Sequence, residues 1–483
     1  MVYVMQESYQ SGVKFRSQPS LAVATIVNQW IGCQRVVYNG KVEEDKYFVA
    51  FRRKSLSLTG EFTPLDQQYS QFKSELTPWL SAVPSQVLRN GAARWMTGKQ
   101  RQLKKLAGTP VKKPARGRQS VLLTKELFTF VPIDPKKPDA GHRLILGTQK
   151  FPVGEWTFHA HRAYKIPNQI VISRQAGKWY VSFSYEEVAE ELLRSPEELA
   201  YELSGKTDSE LVEITKAYDR GVAIRTADSD GIFYCADPVV EVRVARKKHH
   251  IKRYQRKLAR QVNGSNNRRK TIQKIAALGD YKGRCAQDWA HKVSYKLVTG
   301  TTKIHVFEAL NIANMTRKAK PKMVDGKWVK NGAAAKSGLN SAILASGWGR
   351  LQQFTTYKAA RRNQLVITVP PHHSSQECST CQHTHADNRK TQSEFVCQRC
   401  GHADNADTNA AHVLQKRGLA ALRAGIVKKP VKQVSMRKKK QTGAGCPEVS
   451  VERSNKSCAG KTRVKRAASK QKNSGRETGS TGL

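Results

Sequence analysis

Acidic residues are scarce in this chain: 38 Asp and Glu face 84 Lys and Arg across 483 residues, for a formal net charge of +46 and a sequence pI near 10.1. A field of that sign attracts polyanions. Ordered apolar patterning runs between the cations, which favours a nucleic-acid partner over a ribosome-like or membrane-surface role. Long apolar runs are also missing. No stretch approaches the roughly 18 to 20 uninterrupted apolar residues of a membrane helix. The opening MVYVMQESYQSG lacks the basic head and apolar core of a secretory signal. A cytoplasmic protein with no membrane partner is expected. Isolated cysteines are few: Cys33, Cys235 and Cys285 stand alone, and Cys446 and Cys458 lie in the tail without a metal role. This usage excludes a disulfide scaffold and suits a reducing compartment.

What is present divides by period. The length allows two or three domains. Residues 26–118 read as a basic helical layer, since VPSQVLRNGAARWMTGKQRQLKKL and its neighbours carry apolar residues at helical spacing. Residues 119–205 change to short apolar runs such as SVLLTKELFTFV and QIVISRQAGKWYVSFSYE, which predict antiparallel strands forming a small barrel. The join AGTPVKKPARGRQ is either a boundary or a loop along a phosphate backbone. From 206 onward strands interleave with helices, an α/β layer. LVEITKAYDRGVAIRTADSDGIFY reads as two strands around an SDG turn, residues 244–300 as a cation-dense helical hairpin, and KIHVFEAL and QLVITVP as strands. The segment HHIKRYQRKLARQ either contacts nucleic acid or is an amphipathic core helix with a solvated basic face. The tail after Ile426 has almost no apolar periodicity and is expected to be disordered.

The strongest local signal is CSTC followed fifteen residues later by CQRC. Each CxxC pair offers two thiolates on one turn, and Cys378, Cys381, Cys397 and Cys400 together predict a closed tetrahedral Zn²⁺ site of structural type. Two disulfides, or a mixed site using His383, His385 or His402, are the competing readings. Three carboxylates then stand out: Asp219 in AYDRGVAI, Glu308 closing KIHVFEALN, and Asp407 opening a helix in ADTNAAHVLQ. Two strand ends and a helix start can converge on one or two Mg²⁺ ions, which prefer oxygen ligands. Singly, each carboxylate has a structural explanation: a turn residue, a solvated strand end and an N-cap. Asp404, in the loop before the helix, is the weaker metal candidate of its pair.

The stretches AYDRGVAI, FEALNIANM, GWGRLQQFTTYKAA, PPHHSSQECSTCQH and CQRCGHADNADTNAAHVL resemble, in order from about 210 to 415, the TnpB family of transposon-encoded RNA-guided nucleases and the compact type V CRISPR effectors. WIGCQRVVYN looks like the family's early helix motif. The resemblance implies a multidomain α/β protein with a β-barrel, a helical lobe and an RNase H-like (RuvC) nuclease domain carrying an inserted zinc ribbon. Mapped onto this chain, 1–25 and 119–205 would form the wedge-like barrel and 26–118 the recognition lobe. Residues 206–376 and 402–421 would form the nuclease, with the 244–300 hairpin. Residues 377–401 would form the zinc ribbon and target-loading module, and 422–483 a basic tail. Asp219, Glu308 and Asp407 would be the catalytic Mg²⁺ ligands, and the four cysteines the Zn²⁺ ligands. Ala217 replaces a glycine common in relatives, and a small residue is kept. In transposon-encoded members the guide can derive from RNA overlapping the gene's 3′ end, so the tail's composition would partly reflect RNA coding.

The expected activity is RNA-guided cleavage of double-stranded target DNA, with guide RNA as partner and a place at the nucleoid when bound to DNA. Three rivals follow from the same residues: a guided binder that represses without cutting, a transposase or transposition accessory protein, and a junction resolvase. The presence of all three acids, the ribbon within the third nuclease segment and the large basic N-terminal region argue against them in turn.

Overall fold

The computed structural model describes residues 6–59, 66–115, 117–134, 141–324, 326–329 and 331–425. The predicted disordered tail, with Cys446 and Cys458, lies outside them.

In chain order the N-terminal part holds β1 (Gln6–Ser17), α1 (Leu21–Thr59), α2 (Ser85–Leu103), β2 (Gln119–Thr124), β3 (Phe128–Pro132), β4 (His142–Gly147), β5 (Pro152–Trp156), β6 (Phe158–His159), β7 (Gln169–Gln175) and β8 (Lys178–Leu193). The strands form an antiparallel five-stranded sheet, β2-β7-β8-β1-β6, and a three-stranded sheet, β3-β4-β5. Alternation selects the inward residues: Val121 and Leu123 of β2 and Ile170 and Ile172 of β7 are buried around Phe15, Trp156 and Phe183. The helices share this core and also build a small cluster of their own from Tyr38, Val42, Trp95 and Met96. Val23, Val27, Trp30, Ile31 and Val37 of α1 follow helical spacing and join that same cluster, as do Val87 and Leu88 of α2.

The following part holds α3 (Pro196–Ser204), α4 (Asp208–Glu213), β9 (Thr215–Asp219), β10 (Ala227–Asp228), α5 (Pro238–Ala259), α6 (Asn266–Thr299), β11 (Ile304–Glu308), α7 (Ile312–Met315), β12 (Lys322–Val324), β13 (Lys327–Val329), α8 (Ala333–Ser346), α9 (Trp348–Ala360), β14 (Leu365–Val369), β15 (Glu394–Val396), β16 (Ala403–Asn405) and α10 (Ala406–Arg423). The segment around α3, read with the strands from sequence, is a helix. Ser195 and Glu198 close a capping box at its start, and Leu199 and Leu203 pack into the second core. The SDG turn also acts differently from expectation. β9 pairs with β10 across the loop after Asp219, while the turn closes a single bridge between Ala227 and Phe233.

The sheet order is β10-β9-β11-β14, with β9, β11 and β14 parallel. Helices cover both faces. Ala217, Ile304, Val306 and Ile367 meet Leu414 and Leu422 of α10, whereas Tyr218, Phe307 and Val366 meet Trp289 and Val293 of α6 and Leu351 of α9. Burial on both faces explains why β11 is buried throughout and reads as a nearly continuous apolar run. By contrast, α5 buries no residue. The basic segment within it is therefore a solvated helix and not a core one.

Candidate metal centres

Strand register builds the carboxylate site. Tyr218 of β9 pairs with Phe307 of β11, and both rings face α6 and α9. The next residues on the two parallel strands are Asp219 and Glu308, which by alternation turn to the opposite face. That is the face covered by α10, whose first turn carries Asp407. Both strands end here, and carboxyl ends of parallel strands are the usual place for ligands in α/β sheets.

The helix start releases Asp407 from a capping role. Asn405 is the N-cap, its Oδ1 accepting from the amides of Asp407 (3.0 Å) and Thr408 (3.4 Å). Such a cap contributes about 1 kcal/mol. Asp404 instead lies in β16, where its carboxylate accepts from the Asn405 amide at 2.6 Å. The loop after Asp219 is pinned by the Trp348 indole, which donates to the Gly221 carbonyl at 2.9 Å. Gly221 is required by close approach, since a Cβ there would meet the Ile224 carbonyl oxygen at 2.6 Å and stand 3.8 Å from the Asp407 carboxylate.

The acids act on one another electrostatically. Burial, then the neighbouring Glu308 and Asp407 charges, push the Asp219 carboxyl up to about 7. Burial also raises Glu308, against the opposing pull of Arg220. Two arginines that the sequence reading did not single out complete the site. Arg220 is buried; it donates to the Gln352 side chain at 2.9 Å and to the Glu308 carbonyl, and its Nε has no partner. Arg389 comes from the cysteine-bearing loop and pairs with Asp407 at 2.9 Å. Among so many cations, neither had a sequence signal beyond its nearness to a candidate residue.

The cysteines form the second centre. The ligand atoms of Cys378, Cys381, Cys397 and Cys400 all lie within 4.8 Å of one another. Two of the separations are 3.7 Å (Cys378 to Cys400) and 3.6 Å (Cys381 to Cys397). A tetrahedron with metal–sulfur bonds of about 2.3 Å has edges of about 3.8 Å. The donor set thus fits a four-sulfur metal ion. Both halves use the same turn: the Cys378 amide donates to the His383 carbonyl at 3.0 Å, and the Cys397 amide donates to the His402 carbonyl at 2.9 Å. The repeated C-x-x-C-x-H pattern was a readable signal for this turn. Its histidines supply backbone carbonyls there, and the His402 ring faces the Ser379 hydroxyl at 3.4 Å.

The two centres share α10. Asn409 accepts from the Ser379 amide at 2.9 Å and donates to the Glu377 carbonyl at 2.8 Å, and Arg417 pairs with Glu377. The helix that carries Asp407 therefore also clamps the first cysteine turn.

A model of the Cas12f1-like TNB domain matches residues 348–414, a stretch containing all four cysteines and Asp407. A putative RNA-guided DNA endonuclease of Escherichia coli (strain K12), InsQ, is 33% identical over 264 residues, which cover 54% of this chain and 59% of that protein. A putative RNA-guided DNA endonuclease of Streptomyces pristinaespiralis is 24% identical over 435 residues, covering 89% of this chain and 95% of that one. Among solved structures, a Cas12f1-sgRNA-target DNA complex aligns with a TM-score of 0.47 and 12% identity, covering 85% of this chain and 99% of that one. The chain is thus similar to the Cas12f1-like TNB domain over residues 348–414, and to putative RNA-guided DNA endonucleases over longer stretches, spanning about three fifths of the length of the E. coli protein.

Proposed function

We propose that the chain is an RNA-guided DNA endonuclease with an RNase H-like (RuvC) active site formed by Asp219, Glu308 and Asp407. One observation carries this reading: the register of β9 on β11 sets Asp219 and Glu308 at the ends of adjacent parallel strands, on the face where the first turn of α10 carries Asp407. The donor set is all oxygen, which suits Mg²⁺. When bound there, Mg²⁺ would activate a water and stabilise the leaving oxygen of a phosphodiester, giving a 3′-hydroxyl and a 5′-phosphate. The four cysteines would hold Zn²⁺ as a structural ion, with no open position for chemistry. The names of the E. coli and Streptomyces relatives support the same activity.

The chain's own groups have separable tasks. Asp219 would give up its proton to become a ligand, and Arg220 opposes the burial that disfavours the charged form of Glu308. Arg389 neutralises Asp407 in the free site. Were that carboxylate to hold a cation, the Arg389 guanidinium would be free to pair with a phosphate oxygen beside the site. The guide RNA pairs with target DNA and supplies most of the sequence specificity, while the cationic N-terminal part and the α5–α6 hairpin hold backbones by charge and shape.

The test is purification from cells expressing the native locus, sequencing of the bound RNA, and Mg²⁺-dependent cleavage of a guide-matched DNA library beside Asp219→Ala. A discrete RNA and cutting that needs both the match and Asp219 are expected. Matched binding without cutting would make the protein a guided binder, and no specific RNA would overturn the guided reading.

A further inference from the structure

The α1–α2 pair handles its cations in two ways. Towards one end they are paired with acids: Lys99 with Asp45 at 2.9 Å, and Lys41 with Glu44 at 2.7 Å and Asp66 at 2.6 Å. Elsewhere, a niche between α1, α2 and the segment leading into β2 gathers Arg35, Arg94, Lys113 and Arg118 with no acidic residue in its lining. Glu43 of α1 is engaged instead by Lys112 at 2.8 Å and Lys46 at 3.2 Å.

Neutral groups hold these cations in place. The Arg94 guanidinium donates to the Gln34 Oε1 at 3.1 Å and to the Ser120 carbonyl and hydroxyl at 3.3 Å. Gln34 is itself buried and fixed by the Leu122 amide at 2.9 Å and by the Val87 and Leu122 carbonyls. Arg35 donates to the Gln119 side chain at 2.8 Å. The Lys113 backbone is gripped on both sides by the Asn39 amide, at 2.8 and 3.0 Å, and its ammonium lies 3.4 Å from the centre of the Tyr38 ring. Side chains are thus oriented, yet their charge is left uncompensated. Burying cations without counter-ions is costly, so an anion that completes the set gains the interactions the protein lacks.

We propose that this niche is a phosphate subsite, engaging one phosphate group at its mouth with Lys113, Arg94, Arg35 and Arg118. For the source of that phosphate, a nucleic-acid backbone, the assignment rests on the function proposed above. Burial and the facing Arg94 lower Lys113 to about 7. The groups facing the niche are Tyr38 and Arg35 from α1, Arg94 from α2, and Arg118 before β2. Lys113 therefore changes charge between pH 6 and 8.5, and phosphate capture takes up a proton there.

The experiment measures binding of a fluorescein-labelled RNA duplex of arbitrary sequence to the full-length protein. It runs from 50 to 400 mM salt at pH 6 and pH 8.5, for wild type, Lys113→Met, Lys113→Arg and Arg118→Met. Thermal unfolding with inorganic phosphate runs in parallel. Lys113→Met should weaken binding about tenfold at pH 6 and lower the salt slope by about 1. Lys113→Arg should keep the affinity and lose the difference between the two pH values. Arg118→Met, at the rim, should give a smaller loss in the same direction, and it carries the test if Lys113→Met folds poorly. An unchanged slope in both Met variants, with no phosphate stabilisation of the wild type, overturns the subsite. An unchanged slope with stabilisation by phosphate that Lys113→Met abolishes upholds the anion site and overturns its nucleic-acid source. If wild type binds no nucleic acid, the function proposed above fails, and phosphate stabilisation alone then upholds or overturns the niche.

Discussion

The cysteine centre and the carboxylate centre both border the first turns of one helix, α10, and are built on different principles. The thiolates come from one stretch, Cys378 to Cys400, and two copies of the same turn aim them at a common point. The carboxylates come from Asp219, Glu308 and Asp407, and only the register of β9 on β11 and the docking of α10 bring them together. In the first centre geometry is local, and loss of a ligand undoes the loop. In the second the fold supplies the geometry, and the ligands work against the fold by crowding negative charge. Removing an acid should therefore abolish chemistry while sparing stability, and removing a thiolate should do the reverse first.

The largest effect that would break this contrast is expected at Asp219. Asp219→Asn should lower cleavage of guide-matched DNA by on the order of a thousandfold or more, with target binding and unfolding temperature retained. A collapse of the fold would show that the acids are structural. At the other centre, Cys397→Ser should release the cysteine-bound metal and expose the amides of β15 and β16 to hydrogen exchange. Cleavage should fall by about a hundredfold through displacement of Asp407. Mass-spectrometric metal content separates the two variants.

Arg389 bridges the centres, and Arg389→Ala should reduce cleavage by about 10- to 100-fold while leaving the metal content of the cysteine centre unchanged. Partial recovery in Arg389→Lys would show that its charge matters at the scissile phosphate. The pH dependence sharpens the comparison further. Asp219 is raised from 3.8 to about 7, so the folded, metal-free protein binds the proton more tightly than the unfolded chain does. That contribution to stability is fully present below pH 3.8 and is lost as pH rises through about 7. Unfolding temperatures in metal-free buffer should follow this fall, Mg²⁺ should reverse it, and Asp219→Asn should lack it. The smallest effect expected is at Gly418, where a Cβ would meet the Val306 side chain at 2.4 Å. Gly418→Ala should cost about 1–3 kcal/mol in denaturant unfolding by lifting α10 from β11.

The same contrast explains what could be read from the sequence. A local centre writes itself as spacing, so the two CxxC pairs were visible, and so was the helix start at Asp407. Asn405, two residues earlier, takes the cap because its side chain reaches the Asp407 and Thr408 amides, a competition that spacing leaves open. Arg389 was illegible because its role depends on a loop returning to α10 across 18 residues and not on its own neighbours. The packing of α1 and α2 onto the strands was also hidden. An amphipathic helix declares an apolar face but not its partner, and here Trp30 and Leu88 share a cluster with Phe15 and Phe183. The helix α3 is marked in the sequence by a capping box of only four residues, Ser195 to Glu198, directly after a long strand pattern.

The central claim is that Asp219, Glu308 and Asp407 form one cation site. The most direct measurement is anomalous diffraction from crystals of the full-length protein soaked in Mn²⁺. The account predicts density within bonding distance of all three carboxylates, absent in Asp219→Asn, with the cysteine-bound metal unchanged. Mn²⁺ bound elsewhere, or an undisturbed Arg389–Asp407 pair with no metal between the acids, would contradict it.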